Sequence, residues 1–289
     1  MSEEFLPEAV GGEAEETEVE RLRAEMRQLR ARLRAHPPIS QAQGMLRERY
    51  GLPDAESAFA LLQRASQQYN VKLRTLAGAL VTVPRPDDRE SLWFPRRARH
   101  VAPRLGFEAA DRVEPGNRGA VLDAVLSQTL AVVGTGMGNV QITDRATGGL
   151  RMEKHTGLTA DFVDHFEYVD ESGTSCALAA RNVAQVTVKD VATDPVFTES
   201  ARTAILRAGS RACHSAPLTT VSGLCVGMVS AHMDQPVDEL RPAQTKALDV
   251  VGAEAGEWLA WYDRTIVLDA LEYLHALGRA GRGRRVRRS

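Results

Sequence analysis

Residues 39–80 read ISQAQGMLRERYGLPDAESAFALLQRASQQYNVKLRTLAGAL, and this stretch predicts three short amphipathic helices. Apolar residues recur in it at the i, i+3, i+4 spacing of a helix face. Gly51 and the Pro53-Asp54 pair mark the first break between helices, and Asn70 marks the second. Because each segment is too short to be stable alone, we expect the three to pack as a small bundle over residues 37–83.

A heptad pattern predicts a short coiled-coil helix over residues 17–36, before the bundle. Its other positions are almost all Arg, Glu, Gln and Ala, so the apolar seam needs a partner to cover it. We expect the seam to join two copies of the chain as a homodimer, and the alternative is that it packs on its own domain. The predicted dimerisation residues are Val19, Leu22, Met26, Leu29 and Leu33.

Charge is segregated along the 289 residues, although the formal net charge is only −2. Residues 21–82 carry 11 basic groups against 4 acidic ones, whereas residues 119–277 carry 20 acidic groups against 11 basic ones. We expect residues 1–16, rich in Glu and Gly, to be a disordered leader, and the Arg-rich residues 278–289 to be a flexible tail. This asymmetry indicates that one part of the chain meets a polyanion.

The pattern changes after a polar connector over residues 84–118, in which Trp93-Phe94 is expected to anchor on a neighbouring surface. Residues 119–277 combine short strand-like runs with helices, the last from Arg241 to about Leu277, and show no regular βαβ alternation. This pattern predicts an α+β domain with a central antiparallel sheet. The chain as a whole is therefore expected to be an α+β multidomain protein.

Several classes of function find no support in the sequence. No apolar stretch is long enough to span a membrane, and the acidic start does not fit a signal peptide, so the cytoplasm is the expected location. The three cysteines show no CxxC spacing, and the histidines match no metal motif. The absence of a Walker loop or a dinucleotide fingerprint also argues against an enzyme. The sequence predicts neither a catalytic residue nor a metal, and it leaves any cofactor unknown.

Three segments of the predicted bundle, residues 39–46, 58–65 and 70–77, resemble the ANTAR family of RNA-binding transcription antiterminators. The resemblance implies a module that dimerises and binds tandem stem-loops in nascent RNA. The expected partner is therefore stem-loop RNA.

Residues 119–265 resemble a GAF sensor domain, which implies a small-molecule ligand or a protein partner. Cys176 and Cys213 are the candidate residues of its sensor pocket. The segments that carry this resemblance are residues 138–144, 173–176, 188–197, 211–218 and 227–232.

The candidate RNA contacts combine cations for phosphate with amides for unpaired bases. Gln43 and Arg47 share a helix stripe with Tyr50, and the alternative is a solvated face with Tyr50 packed inward. Lys72 and Arg74 flank the start of the third helix, where free backbone amides also attract phosphate. Arg64 and Asn70 complete the set, although Asn70 could simply cap the helix.

Two other functions remain open from the sequence. The helical bundle could place a helix in the major groove of duplex DNA, as a DNA-binding regulator does. Less favoured is a thiol redox enzyme like the GAF-type methionine sulfoxide reductases, in which Cys176 and Cys213 would act as a redox pair.

Overall fold

A computed structural model of the protein describes residues 37–87, 90–110, 113–114, 116–144, 147–170 and 173–286. The predicted leader and coiled coil, with Val19, Leu22, Met26, Leu29 and Leu33, lie outside the described residues.

The three helices expected in the N-terminal part are present. Helix α1 covers residues 37–50, α2 covers Ala55–Gln68 and α3 covers Leu73–Thr82. Asp54 caps α2, because its side chain accepts a hydrogen bond of 2.7 Å from the backbone N–H of Ser57.

The elements of the C-terminal part are α4 (Arg118–Val133), β1 (Met137–Thr143), β2 (Leu150–Thr156), α5 (Ala160–Phe166), β3 (Tyr168–Val169), α6 (Ser175–Asn182), β4 (Val186–Val188), α7 (Glu199–Arg207), β5 (Ala212–Thr219), β6 (Cys225–Met233), α8 (Pro242–Tyr262), a π-helical turn (Asp263–Val267) and α9 (Leu268–Val286). The six strands form one sheet at its centre, with the strand order β3-β2-β1-β6-β5-β4 and every paired strand antiparallel. The predicted α+β class is therefore confirmed.

The two faces of the sheet pack against different layers. Helices α5, α6 and α7 cover one face, and α4 and α8 cover the other. Along β1, Val140 points to the α4–α8 side, whereas Asn139 and Gln141 line a small cavity on the opposite side.

The N-terminal bundle shares its core with the α4–α8 side of the C-terminal part. Buried residues of the bundle, such as Leu46, Leu62 and Leu80, belong to the same hydrophobic cluster as Leu122, Trp258 and Leu274. The bundle is therefore docked against the sheet layer and the C-terminal helix, rather than standing apart on a linker.

The connector contributes to this docking through Trp93, as the sequence predicts. Its ring is buried, its indole Nε1–H donates to the Pro84 carbonyl at 2.9 Å, and the Arg49 guanidinium lies 4.5 Å from the ring centroid. The backbone N–H groups of Trp93 and Phe94 both donate to the carboxylate of Glu272 on α9.

Helix α9 extends beyond the end that the sequence predicts. It runs to Val286, so residues 278–286 are helical where a flexible tail is expected. Gly278 explains part of this difference, because it lies directly against the ring of Tyr50 and so extends the contact between α9 and the bundle.

Candidate functional site

Two predicted RNA-binding cations, Lys72 and Arg74, form ion pairs with the sheet. The Lys72 ammonium contacts the Glu153 carboxylate on β2, and Arg74 Nη2 donates to Asp144 Oδ2 at 2.6 Å. The Arg74 side chain is 20% exposed, so this second pair is mostly shielded from water. The cations that the sequence assigns to phosphate therefore contact carboxylates of the C-terminal α+β part.

Asp144 is held at the end of β1 by the hairpin that leads to β2. Its backbone N–H donates to the Gly149 carbonyl at 2.8 Å, and its carboxylate also accepts from Arg151 Nη2 at 3.2 Å. The carboxylate is only 9% exposed. One buried carboxylate thus accepts hydrogen bonds from two guanidinium groups, one from α3 and one from the sheet, and it ties the bundle to the C-terminal α+β part.

The other candidate RNA-binding residues on α1 and α2 differ in whether they form hydrogen bonds within the protein. Gln43 Nε2 donates to the Ala55 carbonyl at 3.1 Å and thereby helps to join α1 to α2. Arg47 and Arg64 are exposed, and neither side chain has a hydrogen-bond or ion-pair partner among the described residues. These two arginines are therefore the candidates that face solvent in this state.

Tyr50 packs inward, which is the alternative that the sequence left open. Its ring is 3% exposed, its hydroxyl lies 2.8 Å from His275 Nδ1 on α9, and burial raises its pKa to about 12. It therefore supports the interface between the bundle and α9.

Asn70 adopts a left-handed backbone conformation, with φ of 50°, in the turn between α2 and α3. The N-cap of α3 is Lys72, so Asn70 does not cap that helix. The Asn70 carbonyl accepts a long hydrogen bond of 3.5 Å from the Tyr262 hydroxyl, which ties this turn to α8.

Cys176 and Cys213, the two residues predicted for a sensor pocket, line the same small cavity between the sheet and helices α5–α7. The cavity measures only about 20 Å³, which is enough for a single water molecule. Burial raises the pKa of both thiols, that of Cys213 to about 12, so both are protonated at neutral pH. Ser175 Oγ lies 3.3 Å from Cys213 Sγ and helps to fix it.

Two buried histidines, His232 at this cavity and His214 on the other face of the sheet, give the fold a pH dependence. Burial lowers the pKa of His214 and of His232 to about 4, whereas a histidine in an unfolded chain titrates near 6.5. Between pH 6.5 and pH 4 these histidines are therefore protonated in the unfolded chain but neutral in the folded one. The free energy of unfolding should fall as the pH drops through this range.

Urea unfolding of the wild type, of His214→Gln and of His232→Gln between pH 7 and pH 5 measures this effect. We expect each substitution to reduce the change in the free energy of unfolding between these pH values. Part of the pH dependence should remain in both variants, because burial also lowers the pKa of His275. An unchanged slope in both variants would contradict the assignment.

A larger cavity, of about 210 Å³, lies on the opposite side of the sheet. Its walls come from α3, from the start of α4, from β1, β2 and β6, and from the junction of α8 with α9, so the bundle and the C-terminal α+β part build it together. No sequence motif predicts this cavity, because its residues are far apart in the chain. Arg74, Asp144 and Glu153 lie along its wall.

The described residues include no group of three or more His, Cys, Asp or Glu side chains placed to hold a metal ion. Within the same part of the chain, no helix is long and apolar enough to cross a membrane.

Comparison with known proteins gives one family match and several structural likenesses. The family model of the ANTAR domain matches residues 27–81, and no curated protein matches the chain. A GAF domain of an Acinetobacter phosphoenolpyruvate-protein phosphotransferase is 16% identical, over 53% of this chain and 86% of that one, with a TM-score of 0.43.

Two further structures have similar scores. A GAF domain/HD domain protein from Geobacter sulfurreducens is 17% identical, over 51% of this chain and 94% of that one, with a TM-score of 0.42. A free methionine-R-sulfoxide reductase from Neisseria meningitidis, solved in complex with its substrate, is 16% identical, over 57% of this chain and 97% of that one, with a TM-score of 0.40. The chain is thus similar to the ANTAR domain family over residues 27–81, and the GAF resemblance of its C-terminal part rests on the sequence segments quoted above.

Proposed function

We propose that the protein is a cytoplasmic RNA-binding regulator of transcription antitermination, which binds tandem stem-loops as a homodimer under the control of a GAF-like sensor domain. The ANTAR match over residues 27–81 carries this proposal. The exposed guanidinium groups of Arg47 and Arg64 support it, because they supply cations for phosphate on the surface of the matched bundle.

The ion pairs of Lys72 and Arg74 add a mechanism for control. RNA phosphate and the carboxylates of Asp144 and Glu153 compete for the same two cations, so the docked arrangement opposes full RNA binding. A signal that favours undocking releases both cations at once. The sensor domain then acts by shifting a population between docked and undocked forms.

Dimerisation sets the avidity of binding in this proposal. Two bundles joined by the predicted seam of Val19, Leu22, Met26, Leu29 and Leu33 engage two linked stem-loops, so the second contact forms at a high effective concentration.

The competing functions have less support. A thiol redox enzyme needs a thiolate, whereas burial raises the pKa of Cys176 and Cys213, and their cavity of about 20 Å³ leaves no room for a substrate. A DNA-binding regulator remains the second candidate, because exposed arginines attract any polyanion. It predicts a preference for duplex DNA over stem-loop RNA at equal salt.

A salt titration of binding to tandem stem-loop RNA and to duplex DNA tests the proposal. We expect RNA to be preferred, and Arg47→Ala and Arg64→Ala each to weaken RNA binding by about three- to tenfold and to reduce the salt slope by about 0.7–0.9. The matched control is Arg207→Ala, which removes an exposed arginine of the sensor domain. Preference for duplex DNA, or an equal loss in the control, would overturn the assignment.

A further inference from the structure

The cavity between the bundle and the sheet contains the guanidinium of Arg118, which is mostly shielded from water. The Arg118 side chain is 11% exposed, and it forms one long ion pair with Glu153, at 3.8 Å, beyond hydrogen-bond distance. Within the described part of the chain, no hydrogen bond reaches this side chain. A guanidinium so nearly buried favours an acceptor from outside the chain.

The position of Arg118 strengthens its preference for an anion. It is the first residue of α4, a helix of 16 residues, so the positive end of the helix dipole lies beside the guanidinium. The neighbouring Asn117 caps the helix by accepting from the backbone N–H of Ala120.

The carboxylates in the cavity wall are already engaged. Asp144 accepts from Arg74 and Arg151, Glu153 pairs closely with Lys72 and at 3.8 Å with Arg118, and Asp263 also has a partner. A cationic ligand would therefore have to displace an existing close ion pair. An anionic ligand would give up only the long Arg118–Glu153 pair and would meet N–H groups of Arg118 that make no hydrogen bond, so the arrangement favours an anion.

The rest of the wall is mostly apolar and comes from three directions. A ligand would meet the following side chains: Ala79 of α3 and Val83 directly after it, Ile142 and Val226 of the sheet, and Leu259 of α8 and Val267 of the π-helical turn. The volume of about 210 Å³ exceeds the roughly 150 Å³ of an engineered cavity that takes up benzene. The space therefore suits an apolar ring or short chain that carries one charged group.

We propose that this cavity is a binding site for a small organic monocarboxylate, whose carboxylate pairs with Arg118 while its apolar body packs against α3, the sheet and the α8–α9 junction. The site is distinct from the small cavity around Cys176 and Cys213, which lies on the other face of the sheet. Because both the bundle and the sensor domain form the walls, an occupant stabilises the docked arrangement of the two.

Calorimetric titration of the full chain with sodium benzoate, benzamide and benzylamine, without RNA, tests the proposal. We expect benzoate to bind at least tenfold more tightly than the neutral amide or the cationic amine. Arg118→Gln should remove that preference, because it removes the charge but keeps an amide of similar reach.

A second variant tests the location of the site. Gly78 lines the cavity on α3, and a Cβ added there meets no atom within 4 Å, so a side chain can begin at this position without a clash. We expect the longer side chain of Gly78→Leu to fill the space and to abolish benzoate binding. The matched control is Gly44→Leu on α1, which is equally open but remote from the cavity, and it should bind benzoate as the wild type does.

The proposal is overturned if benzoate fails to bind at millimolar concentration, if Gly78→Leu binds it as well as the wild type, or if Arg118→Gln keeps the preference for the anion. Since no RNA is present, a negative result leaves the RNA-binding proposal standing. Loss of RNA recognition would likewise leave the cavity site intact.

Discussion

Replacing Asp144 with asparagine and Glu153 with glutamine in one protein is expected to raise its affinity for tandem stem-loop RNA by about tenfold. The two substitutions remove the carboxylates that hold Arg74 and Lys72 against the sheet. Tenfold corresponds to about 1.4 kcal/mol, close to what a single charge-assisted hydrogen bond contributes. Fluorescence anisotropy with labelled RNA at fixed salt measures the change.

The control must remove the same amount of negative charge elsewhere in the C-terminal α+β part. Asp123→Asn with Glu239→Gln does so, because these carboxylates pair with Lys154 and Lys189 rather than with the bundle. An equal gain in this control would mean that long-range repulsion of RNA, and not release of the bundle, explains the effect.

Adding Lys72→Ala and Arg74→Ala to the double variant tests whether the released cations contact RNA. We expect the gain to disappear, and in the otherwise wild-type chain we expect the same two substitutions to weaken stem-loop binding without unfolding the bundle. Unchanged affinity in both backgrounds would remove Lys72 and Arg74 from the RNA site.

The second large effect concerns the packing of α8 on the sheet. Gly256 lies so close to β5 that a Cβ placed on it would overlap the backbone of Thr219, and Gly252 approaches the Pro217 carbonyl in the same way. Backbone cannot rotate aside as a side chain does, so helix and strand must separate. We expect Gly256→Ala to lower the free energy of unfolding by about 3 kcal/mol, measured by urea denaturation.

Gly44→Ala provides the matched comparison, because a methyl group at this helical position meets no atom within 4 Å. Alanine is the better helix former, so this variant should be more stable than the wild type by about 0.5–1 kcal/mol. If Gly256→Ala were as stable as Gly44→Ala, the close approach of α8 to β5 would be wrong.

The local pattern of the sequence was sufficient for most of the elements. The three bundle helices follow from apolar spacing and from breaks such as Gly51, and the short strand-like runs of residues 119–277 predict the sheet. Strand β3 has only two residues, and α6 is a short helix after Gly173, so neither carries enough residues to show a period.

The length of α9 is a feature that amino-acid composition predicts wrongly. Residues 278–286 are rich in Arg and Gly, which is typical of a flexible tail, yet they continue the helix. Gly278 sits against the Tyr50 ring, where its missing side chain is what allows the close contact.

By itself, the sequence determined the periodic elements, the ANTAR resemblance and the types of side chain available for RNA, since all of these depend on residues close together in the chain. Only the tertiary structure decided which of those side chains form ion pairs or hydrogen bonds within the protein. Arg74 meets Asp144 across 70 residues and Lys72 meets Glu153 across 81. Contacts over such distances arise when the bundle buries its apolar face against the sheet and α9, and no local pattern encodes that docking.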